Sequence, residues 1–197
     1  MKVGLLSYRS HPYSGGQGIY IKHLSKALKN LGHEVSVLSG PPYPELDSEV
    51  NLIKIPSLGL FESGERLKAF RLRFLWSPID LYEWITVMTG GFPEPYTYGK
   101  RVLKKLKEDN LKLDVLLDNQ SLSSSLLEIQ AHYPLAVTIH HPITKDHKLE
   151  MQNAINWKER LSSSRWHNFL PMQKKVAPHL KNIICVSQPS KEDVISE

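Results

Sequence analysis

Two histidines, His140 and His141, follow the apolar run Leu135-Ala-Val-Thr-Ile139. At the carboxyl end of a buried strand, where such sheets bind ligands, an imidazole is either a ligand contact or a satisfied structural residue. Three glycines in four positions, Gly15, Gly16 and Gly18, come after another apolar run, Val3 to Leu6. Glycine lets backbone N–H groups approach a ligand, and a helix starting there adds a positive dipole, so the loop suits a phosphate or a sugar hydroxyl. Asp118, Asn119 and Gln120 stand after a third apolar run and can bind hydroxyls or cap the helix behind them. His140, His141, Asp146 and His147 offer donors of the kind metals use, but their spacing matches no metal motif, and no metal site is expected. Cys185, the single cysteine, lies inside the run Ile183 to Val186 and reads as a small buried apolar residue.

These groups need a scaffold that brings them to one edge. The apolar pattern predicts a strand over Lys2–Ser7, a loop from Tyr8 to Gly18, and a helix presenting Ile21, Leu24, Leu28 and Leu31 on one face, stopped at Gly32. Strands are predicted at Glu34–Ser39 and Val50–Ile55, separated by the breaker Gly40-Pro-Pro-Tyr-Pro44. Glu65 to Trp76 mixes Arg66, Lys68, Arg71 and Arg73 with apolar and aromatic residues. It is expected to be an ordinary packed helix, with contact to a membrane surface as the alternative. Helices over Ile79–Thr89 and Tyr98–Asn110 flank the loop Gly90-Gly-Phe-Pro93. A strand follows at Leu113–Leu117, a helix at Leu122–His132 and a strand at Leu135–His140. Residues 148–180 read as mostly helical with breaks at Pro171 and Pro178. A last strand spans Asn182–Val186, and Ser190-Lys-Glu-Asp193 reads as a capping box opening a final helix. Strands alternating with helices give an α/β, Rossmann-like parallel sheet with helices on both faces, whose ligands bind beyond the carboxyl ends of the strands.

The 197 residues suffice for one large domain, or a domain and part of another. Apolar residues at 41% and charged residues at 23% are the balance of a soluble globular chain. No apolar run approaches the ~18 residues of a membrane span. Met1-Lys2 leads straight into the first strand, and one cysteine permits no disulfide within the chain, so a cytoplasmic protein is expected. The net charge of +5 is scattered among acids along helical stretches; it reads as solvated surface, and no nucleic-acid role is expected. The glycine loop lacks the Gly-x-Gly-x-x-Gly spacing, and Leu38-Ser39-Gly40 offers no acid for a ribose hydroxyl, which argues against a dinucleotide site. No Gly-Lys-Ser/Thr follows, which excludes a P-loop.

Four motifs occur in order. They are Gly15-Gly16 with Leu24-x-x-x-Leu28 and Leu31-Gly-His-Glu-Val35; Leu113-Asp-Val-Leu-Leu-Asp118; Ala136-Val-Thr-Ile-His140; and Ile183-Ile-Cys-Val-Ser187 with Ser190-Lys-Glu-Asp-Val194. Together they resemble the N-terminal domain of the GT-B glycosyltransferases of retaining family 4, over essentially the whole chain, with a divergent stretch from about 58 to 98.

The resemblance implies that residues 1–197 are a single acceptor-side domain, the N-terminal half of a GT-B fold. It further implies a truncated chain, inactive alone, whose donor-binding domain lies in a missing C-terminal half or a partner chain. It implies hexosyl transfer with retention from a nucleotide-diphosphate sugar, UDP- or GDP-linked, to a sugar or lipid-linked acceptor, without a cofactor in this chain and with possible peripheral contact at the inner membrane face. It carries Gly15 and Gly16 to the donor phosphates and His140 to the reacting sugar. It leaves His11, Tyr13, Gln17, Asn119, Gln120 and His141 as acceptor contacts. Two rivals remain: a non-catalytic module holding a glycan or phosphorylated ligand, and a different α/β enzyme such as an epimerase or reductase.

Overall fold

The computed structural model describes residues 1–61 and 69–197. Six strands form one sheet, paired in parallel throughout: β1 (Lys2–Ser7), β2 (Glu34–Ser39), β3 (Asn51–Lys54), β4 (Val115–Asn119), β5 (Leu135–Ile139) and β6 (Ile183–Cys185). Their order is β3-β2-β1-β4-β5-β6. The chain winds one way from β1 to β3 and the other way from β4 to β6. The switch point, where a crevice opens beyond the strand ends, therefore lies between β1 and β4. Register sets polar residues along that rim: Ser7 pairs with Ser39, and Asp118 stands level with Leu6, one residue before Ser7.

Helices cover both faces, as alternation along the strands requires. Val3 and Leu5 of β1 join Val35, Val37 and Ile21 of α1 (Gly16–Asn30) in one apolar cluster. Leu6, one position on, joins the larger cluster on the opposite face, with Leu38 and Leu116. Tyr98, Val102 and Leu106 of α3 (Glu94–Glu108) and Leu126 and Ile129 of α4 (Ser125–His132) complete that layer. Each fully buried side chain of this kind contributes on the order of 1.5–3 kcal/mol. α2 (Pro78–Met88) is pinned to α3 by Arg101, whose guanidinium donates to Asp80 at 2.6 Å and to the buried Glu83. Glu83 in turn accepts the Leu58 N–H at 2.9 Å. After β5 come α5 (Ile143–Asn153), α6 (Trp157–Trp166) and α7 (Leu170–Val176); α8 (Gln188–Ser196) follows β6. Among the described residues no helix is long and apolar enough to cross a membrane.

Several expectations shift for local reasons. Helix α1 begins at Gly16, inside the expected loop, and its buried face is Ile21 with Gly18 and Ser25. Leu31 is the C-cap and 71% exposed, because the helix ends one residue short of carrying it round to the sheet. α3 begins at Glu94 rather than Tyr98: Pro95 falls in the first turn, where its missing N–H has no partner to lose. Pro171 likewise opens α7 rather than breaking a helix. Ser187, not Ser190, caps α8; its Oγ accepts the Ser190 N–H at 3.2 Å. Cys185 is half-buried on the edge strand β6. Residues Leu72–Trp76 form a 3-10 helix that buries only Phe74, so the expected packed helix is not found there; Trp76 is 89% exposed. Glu65 to Lys68 of that expectation lie outside the described residues.

Candidate functional site

The site is built at the switch point, from the loops that leave β1, β4 and β5. After β1 the chain turns back under His11, whose Nδ1 accepts the N–H groups of Tyr13 at 3.1 Å and Ser14 at 3.0 Å. Gly15 then caps α1 at φ 71°, ψ 139°, a region that a side chain reaches only with strain. A methyl group on Gly16 would meet nothing within 4 Å, so the backbone is open there. Gly18 plays a different part from the expected one. A side chain on it would overlap the His11 carbonyl oxygen and sit 2.7 Å from the Ser10 carbonyl carbon, so it serves the packing of α1 on the loop. The N-terminus of α1 has no side-chain cap and no acid in its first turn. Its partial positive charge is thus left without a local counter-charge. Gln17 donates to the buried Tyr8 hydroxyl at 3.3 Å. Burial pushes that phenol up to about 12, the Gln17 hydrogen bond pulling the other way, so it stays neutral. Tyr13 is exposed, with its hydroxyl on Glu45.

After β4 the backbone bends through two left-handed residues, Gln120 at φ 57° and Leu122 at φ 48°. Asp118 holds that bend. Its carboxylate accepts the Ser121 N–H at 2.8 Å, the Ser121 hydroxyl at 2.5 Å and the Leu122 N–H at 3.4 Å. It does not cap the helix behind it, as one sequence reading had it: α4 starts at Ser125 without a side-chain cap, and Asp118 serves the bend alone. Burial lifts its pKa to about 6, against those same hydrogen bonds.

The bend delivers Asn119 and Gln120 to His140. Gln120 Oε1 accepts the His140 backbone N–H at 2.7 Å, and its Nε2 donates to the His141 carbonyl at 2.6 Å. Asn119 Oδ1 lies 2.7 Å from His140 Nε2. Tyr20 of α1 meets the imidazole edge-on, ring centres 4.7 Å apart. Ser190 of α8 donates to the His140 carbonyl at 3.0 Å. His140 is therefore held from α1, β4 and its loop, and α8. Burial, with His141 second, lowers its pKa, which keeps the ring neutral near pH 7.

His141 is exposed, its Nε2 2.8 Å from Asp146. Beside it opens a cavity of about 270 Å³ lined by Gln120, Ile139, Pro142, Ile183 and Ile195, among others. His147 turns away, its ring 4.7 Å from His167. Among the described residues no three His, Cys, Asp or Glu side chains come together as a metal-holding group. The helix that starts at Gly16 reaches His140 through Tyr20, one turn on. Asn119 and Gln120 stand behind the two histidines, 1% and 2% exposed. Sequence reasoning missed Tyr20 and the buried Ser7 hydroxyl; Ser10 and Ser39 fall at the strand ends where ligands were expected. A polar residue ending each of β1, β2 and β4 was the available signal.

The profile of Glycosyltransferase Family 4 matches residues 14–197. A relative from Mycolicibacterium hassiacum, the MMP alpha-(1->4)-mannosyltransferase, is 43% identical over 199 residues, covering 100% of this chain and 48% of its own. The chain thus spans about half the length of the curated relative it matches. Two solved structures align at low identity. LpCGTa in complex with UDP is 14% identical, with a TM-score of 0.43, over 94% of this chain and 52% of its own. The glycosyltransferase VinC in complex with DTDP is 15% identical, with a TM-score of 0.45, over 96% and 49%.

Proposed function

We infer the role of this chain from its family, for it belongs to glycosyltransferase family 4: it is the acceptor-side domain of a hexosyltransferase. The complete enzyme moves a hexosyl group, with retention, from a UDP- or GDP-linked sugar to a sugar or lipid-linked acceptor. Mannose is the first donor sugar to test, since the 43% identical relative is named a mannosyltransferase. Polypeptide beyond this chain, or a partner chain, supplies the donor pocket.

The observation that supports this reading is the neutral His140, held at the strand end by its backbone and Nε2 and touched by Tyr20 of α1. Gly15 and Gly16 let donor phosphates approach the uncapped helix end, whose dipole and N–H groups favour an anion. His140 hydrogen-bonds the sugar as charge develops at the anomeric centre, a kind of stabilisation worth ~100-fold or more per group. His11, Tyr13, Gln17 and His141 form the rim that meets the acceptor, while Asn119 and Gln120 support it from behind. The enzyme works in the cytoplasm, peripherally at a membrane through Leu72, Leu75 and Trp76, exposed beside Arg73; co-sedimentation with anionic vesicles, lost on Trp76→Ala, tests that part.

The decisive measurement is sugar transfer by the full-length protein carrying His140→Ala. A fall in kcat of ~100-fold or more is expected. A rate equal to the wild type's would remove His140 from the mechanism.

A further inference from the structure

A chain of side-chain hydrogen bonds crosses the carboxyl rim of the sheet and ends on His140. Ser39 at the end of β2 turns its proton to the Gly40 carbonyl at 2.8 Å and packs 3.1 Å from Ser10 Oγ, and Ser10 donates to Ser7 Oγ at 2.7 Å. Ser7, at the end of β1, turns its own proton to the Arg9 carbonyl at 3.3 Å. All three serines are 0% exposed, so no solvent can reorder the chain. Ser7 Oγ is thereby left as an acceptor toward β4. Asn119 answers with its amide, Nδ2 to Ser7 Oγ at 3.5 Å, which turns Oδ1 to the imidazole at 2.7 Å. An acceptor at that distance requires a proton on His140 Nε2, and in a neutral ring Nδ1 is then bare. Among the described residues Nδ1 has no hydrogen-bond partner, while the other polar groups of His140 are all engaged.

We propose that Asn119 is a positioning residue: backed by Ser7 and Ser10, it fixes His140 as the Nε2–H tautomer, so that Nδ1 accepts a hydrogen bond from a hydroxyl of the transferred sugar. The proposal rests on the reading that His140 touches that sugar. It adds a direction: His140 selects a sugar carrying an O–H donor at the contacted carbon, and a deoxy or O-methyl analogue at that carbon lacks the donor. The titratable groups around the ring are His141, paired with Asp146, and Tyr20 on α1; Asp118 on β4 is turned to Ser121. The carboxylate nearest to His141 is therefore not the group that orders His140.

The test uses full-length protein labelled with 15N-histidine, with His140 assigned by difference from His140→Ala. Bare and protonated ring nitrogens of a neutral histidine resonate far apart. The expected result is a single Nε2–H tautomer in the wild type and a mixture in Asn119→Leu. In Asn119→Asp the acceptor is kept but charged, which favours imidazolium. The tautomer should persist, and the acidic limb of the kcat profile should move up by ~1 pH unit or more, with near wild-type rates restored above it. A wild-type Nδ1–H tautomer, or an Asn119→Asp profile superimposed on the wild type's, would overturn the proposal. His140→Ala activity separates the two levels. A fully active His140→Ala defeats the catalytic reading whatever the spectra show. An inactive one beside the wrong tautomer defeats only the role of Asn119.

Discussion

At the scale of single residues, the glycine loop and the β4 bend separate what shapes the fold from what meets a ligand. Gly15 sits at φ 71°, so Gly15→Ala stores strain on the order of 1–3 kcal/mol and lowers the unfolding midpoint. Gly16 has open space where its side chain would be. Gly16→Ala should leave the midpoint within about 1 kcal/mol of wild type. If donor phosphates approach here, the same change raises KM for the nucleotide sugar in the full-length enzyme. An unchanged KM would remove Gly16 from the donor site. Asp118 makes a second, independent prediction through pH. Its folded pKa of about 6 lies above the ordinary 3.8, so between those values the folded chain holds more proton than the unfolded one. Its contribution to stability is therefore present at low pH and lost as pH rises through 6, by about 3 kcal/mol. Denaturant unfolding from pH 4 to 7 should show wild type losing stability relative to Asp118→Asn as pH rises. Parallel curves would mean the carboxylate is not buried as described. Residue types told which of these positions carried polar groups at strand ends. They could not tell that Asp118 faces its own bend while Asn119 faces the imidazole. That division follows from strand alternation combined with two left-handed residues that sequence does not announce.

At the scale of elements, the regular βα units were legible, because periodic apolar residues must face a sheet. The sheet strands fall close to where alternation put them. The stretch expected to be mostly helical does hold three short helices over 143–176, whereas a 3-10 turn replaces the helix expected through 76. Their hydrophobic residues are not periodic, since much of their surface faces no sheet. The join between α2 and α3 was equally invisible. It depends on one cation meeting two acids, 18 and 21 residues away in sequence. Arg101 is 12% exposed at its side chain and Glu83 4%. Removing the cation strands Glu83 in a nearly dry place, at a cost of about 3–5 kcal/mol. Arg101→Met should therefore lower the urea midpoint steeply, whereas Asp80→Ala, at the more exposed partner, should lower it far less. Equal effects would show that Glu83 is better solvated than its burial indicates.

At the scale of the whole molecule, the strand order explains why the site lies where it does. Reversal between β1 and β4 puts the loop after β1, the Asp118 bend and His140 on a single rim, with polar strand ends linked across it. The order itself was beyond sequence reading, which gave alternation but not neighbours; the motifs in series placed the chain in its family and put the candidate site at this rim. What the rim offers is one wall: an uncapped helix end, a positioned neutral imidazole and the exposed His141 beside it. Among the described residues no three His, Cys, Asp or Glu side chains gather there. If the grip on a nucleotide's diphosphate and base comes from polypeptide outside these residues, residues 1–197 expressed alone should transfer no sugar from a UDP- or GDP-linked donor, while the full-length protein does. Adding the remaining half in trans should restore transfer only where the two halves associate, and His140→Ala in the first half should abolish the restored rate. Turnover by residues 1–197 alone would show instead that this rim holds the donor unaided.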